Sequence, residues 1–576
     1  MKRPIGDLPK KYWAIAAGAA AYLADLIHPT WITALPVLAL MGYALFRQFR
    51  SPVQYVTGDR YTRITRLALL SIAFLFFLAR AWAFGRDFQS KEAIIGLGKT
   101  PGAYAFDLIF LATLTLSWLL GRLTARAFLF FKTIWRRPAA VLSGSFALLI
   151  AIGAMLLMLP VSLQRIEDVS FVNALFTATS AVCVTGLTVA DISTTYSVFG
   201  QVVILAAIQF GAIGIMTVAA MAFFLSKEGS LVPEQRLLTV LGANSLRDLH
   251  RTVWTIAIVT LVLETVGAAA LYFLLSGDAR LRGDSAIFVS IFHSISAFAN
   301  AGFSLFPDNL ESFRRDAAVQ TVILLLVSAG GLGFPVLWAL LGKWTRVKWR
   351  IVHEIRLLLG ARVALKASVL LVIFGAAAFS ALESSGAFLS LDAPERMLAA
   401  LFTSVTSRTA GFHSVPISAM QPASLMVLML LMFIGGSPGG TAGGIKTTTA
   451  AVLAATFRGE LRRQPPELQG RSISQETIRR SVSIVAMSGT IVFGALFFLV
   501  IFEPFSFLSL AFETVSAFGT VGLSTGITPL LGIPGKLILV TVMFAGRVGP
   551  LTIAVAIGSR YRVQKHVFPT EDLPVG

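Results

Sequence analysis

The sequence predicts an all-α polytopic membrane protein with four internal repeats, each holding a re-entrant half-helix, and extra transmembrane helices before the first repeat. Three observations indicate this fold class. Hydrophobic residues make up 56% of the 576-residue chain and charged residues only 13%, about half the charged fraction of a soluble domain. The mean hydropathy is +0.78. A short motif also recurs four times at similar spacing from residue 176 onward.

Twelve apolar segments are predicted to cross the bilayer, since a crossing helix takes about 20 mostly apolar residues. They lie at roughly 12–28, 31–46, 67–84, 104–121, 139–160, 198–225, 252–275, 317–342, 367–382, 423–457, 481–502 and 536–558. The first two are short and meet at a tight turn at His28 and Pro29. An apolar run after basic residues also has the outline of a signal peptide, but the hydrophobic segments that follow favour a first crossing.

Basic residues set the predicted orientation. Lys and Arg are concentrated in 122–137, 343–366, 458–480 and 560–565, whereas alternate loops are poorer in them and carry acids. Because Lys and Arg are enriched in cytoplasmic loops, we expect a multi-pass protein of the cell inner (cytoplasmic) membrane with both termini cytoplasmic. The net charge of +19 then follows from topology. The lipid bilayer is the predicted partner, and nucleic acid is not, because no nucleic-acid-binding motif accompanies the charge.

The recurring motif is the strongest signal in the chain. Its four copies run Phe176–Gly186, Phe292–Gly302, Phe402–Gly411 and Phe512–Gly522, and each has Ser or Thr four residues after the Phe. The third copy is one residue shorter. The copies divide the chain into an N-terminal extension (1–138) and four predicted repeats (139–249, 250–361, 362–480 and 481–576).

Each motif is followed by a crossing that carries Gly-x-x-Gly. The pairs are Gly211 and Gly214, Gly330 and Gly333, Gly436 and Gly439, and Gly546 and Gly549. Close helix packing alone explains any single pair. It does not explain the short amphipathic stretch that precedes each motif glycine.

Such a stretch is too short to span the bilayer but suits a half-helix that enters and leaves by one face. Non-helical backbone at membrane depth persists only where it is buried or lines an aqueous path. Four such loops around one axis would form a pore, and rings of backbone carbonyls can replace the hydration shell of an alkali ion. The turns carry no ring of Asp or Glu, so the pattern favours a monovalent cation over a divalent one.

These motifs resemble the Trk/Ktr/HKT superfamily of potassium transporters, with KtrB-like and TrkH-like membrane subunits the most similar. The resemblance rests on FTATSAVCVTGLTV, SAFANAGFS, TSRTAGFHS and SAFGTVGLSTG and covers roughly residues 139–560. It implies four membrane–pore–membrane repeats around one K+ pathway. The implied selectivity filter comprises Val184, Thr185, Gly186, Asn300, Ala301, Gly302, Thr409, Ala410, Gly411, Thr520, Val521 and Gly522, with K+ bound by filter carbonyls.

The third repeat's second crossing is interrupted by the predicted gating loop 435–449, which is too rich in Gly and Pro for a regular helix. The resemblance implies that this loop gates permeation and that Arg547 contacts it. The implied gate residues are Gly435, Gly436, Gly439, Gly440, Gly443, Gly444, Lys446 and Arg547. A purely structural role for Arg547 stays open, and Lys446 either anchors the loop or faces the cytoplasm.

The function predicted is potassium uptake into a bacterial cell, driven by the electrochemical gradient. The resemblance implies a homodimer and a ring of cytoplasmic nucleotide-binding regulatory subunits, KtrA-like or TrkA-like. No covalent cofactor is expected; K+ is the transported ion, with Na+ a further possibility. A Na+- or H+-coupled symporter on the same fold is the alternative, with an acid such as Glu264 or Asp191 in the coupling path.

Other classes are disfavoured. The GGTAGGIKT run lacks the adjacent Gly-Lys of a nucleotide-binding P-loop, because Ile445 intervenes. An enzyme would need paired carboxylates or a His/Asp cluster at one depth, and the sequence shows neither. A scaffold without transport would leave four filter glycines without a role.

Overall fold

Nearly all regular structure in the described part of the chain is helical. The computed structural model describes residues 138–164, 170–226, 243–281, 285–334, 336–337, 355–550 and 552. These residues belong to one compact unit, Arg137–Gly576. The first four predicted crossings lie outside the described residues.

The first group of elements follows the order long helix, short helix, loop, long helix. It comprises α1 (Pro138–Leu157), α2 (Phe171–Val182), the single turn α3 (Ile192–Thr195) and α4 (Val198–Ser226). Ser170 begins α2 by accepting a hydrogen bond from the Asn173 amide, which satisfies one of the free N–H groups at the helix start.

The second group has the same order: α5 (Ala243–Leu275), α6 (Ala286–Ala299) and α7 (Ala317–Leu332). The sequence predicted a crossing over 317–342, of which residues 335 and 338–342 lie outside the described residues. The helix ends at Gly333, which has φ of +77°, a conformation that a helix cannot contain.

The third group comprises α8 (Ile355–Leu382), α9 (Ala393–Thr406), α10 (Pro422–Phe433) and α11 (Thr447–Arg462). The interruption between α10 and α11 lies where the sequence predicted it, within 423–457. A small antiparallel hairpin follows, formed by β1 (Glu467–Leu468) and β2 (Arg471–Ser472).

The fourth group comprises α12 (Gln475–Phe502), α13 (Phe507–Gly519) and α14 (Ile533–Val548). Residues 551 and 553–558 of the predicted crossing 536–558 lie outside the described residues, and α14 ends before Gly549, which has φ of +90°.

The short helices begin before the motif phenylalanines. They contain 12, 14, 14 and 13 residues. Each of them starts five to nine residues before its motif phenylalanine. The phenylalanines lie inside the helices and are fully buried, namely Phe176, Phe292, Phe402 and Phe512. An aromatic side chain of this size supplies much of the packing where each helix enters the core.

The groups are arranged in chain order around a centre. In each group one helix packs against the short helix of the next group: α4 on α6, α7 on α9, α10 on α13 and α14 on α2. The last of these contacts joins the fourth group back to the first, so the four short helices form a closed circle.

Three helices of the described residues are long and apolar enough to cross a membrane, by length and composition: Trp254–Leu275, Leu359–Ser385 and Gln475–Phe502. Only 11% of the most apolar 18-residue window in the last helix is buried inside the protein. An apolar, outward-facing helix surface of this kind is expected where a protein contacts lipid.

Candidate functional site

Four short loops follow the short helices, and we call them glycine loops 1 to 4 (183–186, 300–302, 407–411 and 520–522). Each contains two residues with positive φ, a non-glycine residue and then the motif glycine. The pairs are Val184 (55°) and Gly186 (93°), Asn300 (60°) and Gly302 (69°), Thr409 (74°) and Gly411 (75°), and Thr520 (50°) and Gly522 (93°). Positive φ is rare for Val and Thr because it crowds Cβ against the backbone. Its recurrence indicates a shape that the surrounding structure imposes.

Backbone hydrogen bonds within each loop hold this shape. The amides of Thr185, Ala301 and Val521 bond to the carbonyls of Ser180, Ser296 and Ser516 at 2.7, 2.7 and 2.9 Å. This is the 6→1 bond of a Schellman C-cap, which satisfies carbonyls at a helix end. In loop 3, which is one residue shorter, the amides of Ala410 and Gly411 both bond to the Thr406 carbonyl, at 2.9 and 3.4 Å.

The motif Ser and Thr side chains also bond within their own segments. Ser180 Oγ accepts from the Gly186 amide at 3.0 Å, and Ser516 Oγ accepts from the Gly522 amide at 3.2 Å. In the second segment Ser296 Oγ donates to the Phe303 carbonyl at 2.8 Å. The hydroxyl therefore links the short helix to its loop in three of the four segments, whereas Thr406 donates back into its own helix.

The four motif glycines meet one another in a ring. A Cβ on Gly302 would lie 2.8 Å from the Ala410 carbonyl oxygen and from Gly411 Cα. A Cβ on each other glycine would overlap the corresponding carbonyl of the next loop, Gly186 with Ala301, Gly411 with Val521, and Gly522 with Thr185. The sequence-predicted residues of all four loops are thus brought together, and only glycine fits at the contacts.

Two side chains that lie two positions before a motif glycine, Val184 and Asn300, contact neighbouring helices. Val184 Cγ2 lies 3.2 Å from the Cβ position of Gly211 on α4. The Asn300 amide nitrogen, in the orientation that satisfies it, donates to the carbonyls of Val327 and Ala297 at 3.0 and 3.1 Å. The contacts between neighbouring motif glycines are made by backbone atoms.

The segment between α10 and α11, which we call the 434–446 loop, packs against α7. The Ser437 amide donates to the Gly331 carbonyl at 3.1 Å, and the Thr441 amide donates to the Gly330 carbonyl at 3.2 Å. In return the Phe334 amide donates to the Gly439 carbonyl at 3.2 Å. The loop thus bonds to the end of a helix more than 100 residues away in the chain.

Glycines make these contacts possible. A Cβ on Gly440 would lie 2.9 Å from the Gly331 oxygen, and one on Gly436 would overlap Ala442. A Cβ on Gly443 would overlap the Thr520 hydroxyl of glycine loop 4. A Cβ on Gly435 would overlap the Gly443 carbonyl oxygen. The loop therefore lies directly against the glycine ring, and Gly439 and Gly444 have positive φ.

Two arginines outside the 434–446 loop donate to it, Arg408 from glycine loop 3 and Arg547 from α14. Arg547 of α14 is 4% exposed; it donates to the Thr441 carbonyl and, at 3.3 Å, to the Gly211 carbonyl of α4. Arg408 donates to the Gly435 carbonyl at 3.1 Å and to Ser368 on α8. A buried guanidinium needs several acceptors to offset its lost hydration, and here backbone carbonyls supply them.

Lys446 lies at the start of α11, and its ammonium donates to the Ala442 carbonyl at 2.6 Å. Of the two interpretations of this lysine left open by the sequence, the contact favours the loop anchor.

The Gly-x-x-Gly pairs have two different roles. A Cβ on Gly211, Gly330 or Gly546 would overlap the carbonyl that ends a short helix, respectively Val182, Phe298 or Phe518. Close packing therefore accounts for the first glycines. The second glycines Gly333, Gly439 and Gly549 have positive φ and end or bend the chain, while Gly214 stays within α4.

Sequence reasoning missed two residues of this region. Thr441 receives the Arg547 bond and its hydroxyl lies 3.4 Å from the Phe298 carbonyl. Asn309 bonds to the Gly302 carbonyl at 3.5 Å and accepts from the His413 amide at 3.3 Å, so it joins two neighbouring segments after the glycines. Its φ of 57° is typical of Asn in a turn, but no local signal indicated the partner.

No cluster of three or more His, Cys, Asp or Glu that could hold a metal is found among the described residues. The polar groups of the ring are backbone carbonyls and hydroxyls, which interact with cations through oxygen.

The chain matches the family model "TrkH: Cation transport protein" over residues 137–560. It is 39% identical to the Ktr system potassium uptake protein B of Bacillus subtilis, over 72% of this chain and 92% of that protein. It is 34% identical to the potassium/sodium uptake protein NtpJ of Enterococcus hirae, over 76% of this chain and 97% of that protein. The crystal structure of the potassium transporter TrkH from Vibrio parahaemolyticus shares its fold, with a TM-score of 0.60 and 18% identity over 86% of this chain and 98% of that one.

The chain therefore belongs to the TrkH family of cation transport proteins. The family predicted from the sequence motifs is confirmed, and so is the prediction that the chain is not an enzyme.

Proposed function

We propose that this protein takes up K+ across the bacterial cytoplasmic membrane through a pore whose selectivity filter is the ring of glycine loops. The observation that carries the proposal is the closed contact of Gly186, Gly302, Gly411 and Gly522 in chain order. A ring lined by backbone carbonyls replaces the water around a dehydrated alkali ion. The names of the relatives as potassium uptake proteins support K+ as the ion.

The filter in this proposal consists of the twelve residues predicted from the sequence, three from each loop. The four groups of helices are the four membrane–pore–membrane repeats, with α2, α6, α9 and α13 as the pore half-helices. The inside-negative membrane potential drives entry by about 2.3 kcal/mol per charge per 100 mV. No chemical step is required.

The 434–446 loop is proposed as the gate. It lies against glycine loop 4 at Gly443 and Thr520, and helices of the second and fourth groups hold it through Gly330, Gly331 and Arg547. Because its bonds come from other helices, relative movement of those helices would move it. A cytoplasmic ring of nucleotide-binding regulatory subunits, KtrA-like or TrkA-like, is the proposed source of that movement, acting on a homodimer with both termini cytoplasmic.

A Na+- or H+-coupled symporter on the same fold is the second candidate. It is favoured by the name of the 34% identical relative, a potassium/sodium uptake protein. Reversal potentials measured while Na+ and pH are varied separate the two mechanisms, since a pure K+ channel reverses at the K+ equilibrium potential.

The experiment is Rb+ uptake by bacterial cells that lack their own K+ uptake systems, with wild type beside Gly302→Asp. Gly494→Ala is the matched control, because nothing lies within 4 Å of its Cβ position. We expect uptake by wild type and the control and none by Gly302→Asp at equal membrane expression. Uptake by Gly302→Asp equal to that of wild type would contradict the filter, and absence of wild-type uptake even with a co-expressed regulatory subunit would contradict potassium transport.

A further inference from the structure

One buried acid of the described residues lies among helices with too few hydrogen-bond donors for a carboxylate. Glu264 of α5 is 4% exposed. Its Oε2 accepts from Gln209 Nε2 of α4 at 2.9 Å. Its Oε1 has no partner, and neither has Gln209 Oε1. Two buried oxygen acceptors thus remain unsatisfied on the same pair of side chains, which is unfavourable for each of them.

Other buried acids of the chain have donors on both sides. Glu513 accepts from Ser524, Thr525 and Thr528 and uses both oxygens. Glu383 uses both oxygens to accept from the amides of Ala387 and Gln421. In these sites both carboxylate oxygens have hydrogen-bond partners, whereas the Glu264 site offers one donor and one further acceptor.

Among the described side chains, none supplies a countercharge to Glu264. No side chain that the structure describes forms an ion pair with it. The helices packed against α5 are α4, α6 and α7, and the titratable side chain described on them is His293. Both His293 ring nitrogens are occupied, by the Val289 carbonyl at 2.8 Å and Ser304 Oγ at 3.0 Å. On α5 itself Tyr272 lies two turns away.

We propose that Glu264 is a proton-binding site. Its Oε1 carries a proton and donates a hydrogen bond to Gln209 Oε1. With the bond from Gln209 Nε2 to Glu264 Oε2, this closes a cyclic pair of a carboxylic acid and an amide. One proton satisfies both orphan oxygens at once and leaves no buried charge. A bound Na+ requires several oxygen ligands, and this pair provides two.

The pair joins parts of the proposed conduction path. Gln209 is two residues before Gly211, whose carbonyl accepts from Arg547. The Glu264 carbonyl accepts from Ser294 Oγ of α6 at 2.7 Å. The protonated acid is therefore a positioning residue that ties α4 to α5 at the residue whose backbone carbonyl holds the second short helix, and it is not an ion-coupling group. This transport role rests on the proposed function, whereas the protonation itself does not.

Infrared spectroscopy of the purified full-length protein in lipid vesicles tests the protonation. At neutral pH we expect the carbonyl stretch of a protonated carboxylic acid in wild type and its loss in Glu264→Gln. Glu503→Gln is the control and should keep the band, since Glu503 accepts from two backbone amides. A wild-type spectrum from which Glu264→Gln removes no acid band overturns the proposal.

Rb+ uptake tests the positioning role. Glu264→Gln retains the paired geometry without a charge, so we expect uptake within about twofold of wild type. Glu264→Leu leaves the Gln209 amide unpaired and should lower uptake about tenfold. Loss of uptake in Glu264→Gln with an unchanged thermal midpoint would show that the charge is needed and overturn the proposal. If Glu264→Gln does not insert into the membrane, Gln209→Leu takes its place. We expect Gln209→Leu to shift the infrared band of the protonated acid, and an unshifted band would also overturn the proposal.

The two arms separate the two hypotheses. If wild type shows no uptake but has the Glu264 band, the proposed function fails and the proton site stands.

Discussion

The glycine loops and the 434–446 loop are both non-helical, glycine-rich backbone in the core, yet they are held in opposite ways. Glycine loops 1, 2 and 4 are closed by bonds from their own half-helices, such as Thr185 to Ser180. The 434–446 loop takes further bonds from α7, from Arg408 of glycine loop 3 and from α14. A loop held by its own helix keeps its shape when neighbours move, whereas a loop held by other helices follows them. This difference is consistent with the proposed roles of the glycine loops as a fixed filter and of the 434–446 loop as a movable gate.

The largest expected effect is from a methyl group in the ring. Gly522→Ala requires φ near +93° and a Cβ that overlaps the Thr185 carbonyl. Positive φ alone costs about 1–2 kcal/mol, and the overlap distorts a loop that has no freedom to relax. We expect Rb+ uptake to fall roughly a hundredfold. Gly489→Ala, with open space at its Cβ, should leave uptake unchanged; equal loss in both variants would refute a rigid ring.

The second effect tests the movable loop. Arg547→Ala removes the bonds to Thr441 and Gly211. Hydrogen bonds from a charged group contribute about 1.5–3 kcal/mol, so the closed loop should lose stability. We expect uptake without any regulatory subunit to rise roughly tenfold or more.

The matched control for this second prediction is Arg480→Ala, whose arginine pairs with Glu476 on an exposed face of α12. It should behave as wild type. Unchanged uptake in Arg547→Ala, with normal expression, would mean that the arginine does not restrain the loop.

A smaller effect is expected from the hydroxyls that close the glycine loops. Ser180→Ala removes the acceptor of the Gly186 amide at 3.0 Å, which contributes about 1 kcal/mol. We expect the ratio of K+ to Na+ permeability to fall several-fold while uptake persists. Thr490→Ala is the control, since Thr490 bonds within its own exposed helix turn. A selectivity change of equal size in both variants would show that the Ser180 hydroxyl has no specific role in the selectivity of the filter.

The smallest effect lies outside the membrane-spanning segments, in the turn that leads to α6. Arg280 donates to both oxygens of Asp278, at 2.9 and 3.0 Å, and this hydrogen bonding holds the pKa of Asp278 below its usual range. A carboxyl group whose pKa is lower in the folded state stabilises the fold fully when the pH is above its pKa in the unfolded state. That stabilisation is lost as the pH falls through its pKa in the folded state. The pair is partly exposed, so the contribution is below about 1 kcal/mol.

Asp278→Asn should therefore lower the thermal midpoint by about 1–2 °C at neutral pH and by nothing at a pH below the lowered pKa. Glu476→Gln, in an exposed pair on α12, should cause no shift at either pH. A difference between wild type and Asp278→Asn that persists in acid would exclude the ion pair as its cause.

The sequence was most informative where the backbone itself demands a residue type. The motif glycines were recognisable because positive φ and the neighbouring carbonyls exclude any other side chain, and the interruption near Gly435 was recognisable because Gly and Pro break helices. The starts of the half-helices were not recognisable from the sequence, since the apolar residues before Phe402 continue the amphipathic pattern of the motif.

The partners of the 434–446 loop were less accessible to sequence reasoning. Gly330 and Thr441 are 111 positions apart, and nothing local indicates that the carbonyl of one accepts from the amide of the other. The family resemblance supplied Arg547 but not Thr441 or Asn309. Such contacts depend on how helices cross, which periodicity along one helix does not encode.

The ring of glycines closes within a single chain, and this affects how the protein can change. In a ring assembled from four identical subunits, one altered codon replaces all four quadrants together. Here the equivalent positions Val184, Asn300, Thr409 and Thr520 hold three different residue types, and one loop is a residue shorter. Evolution can therefore adjust one quadrant at a time, so that ion preference changes in small steps.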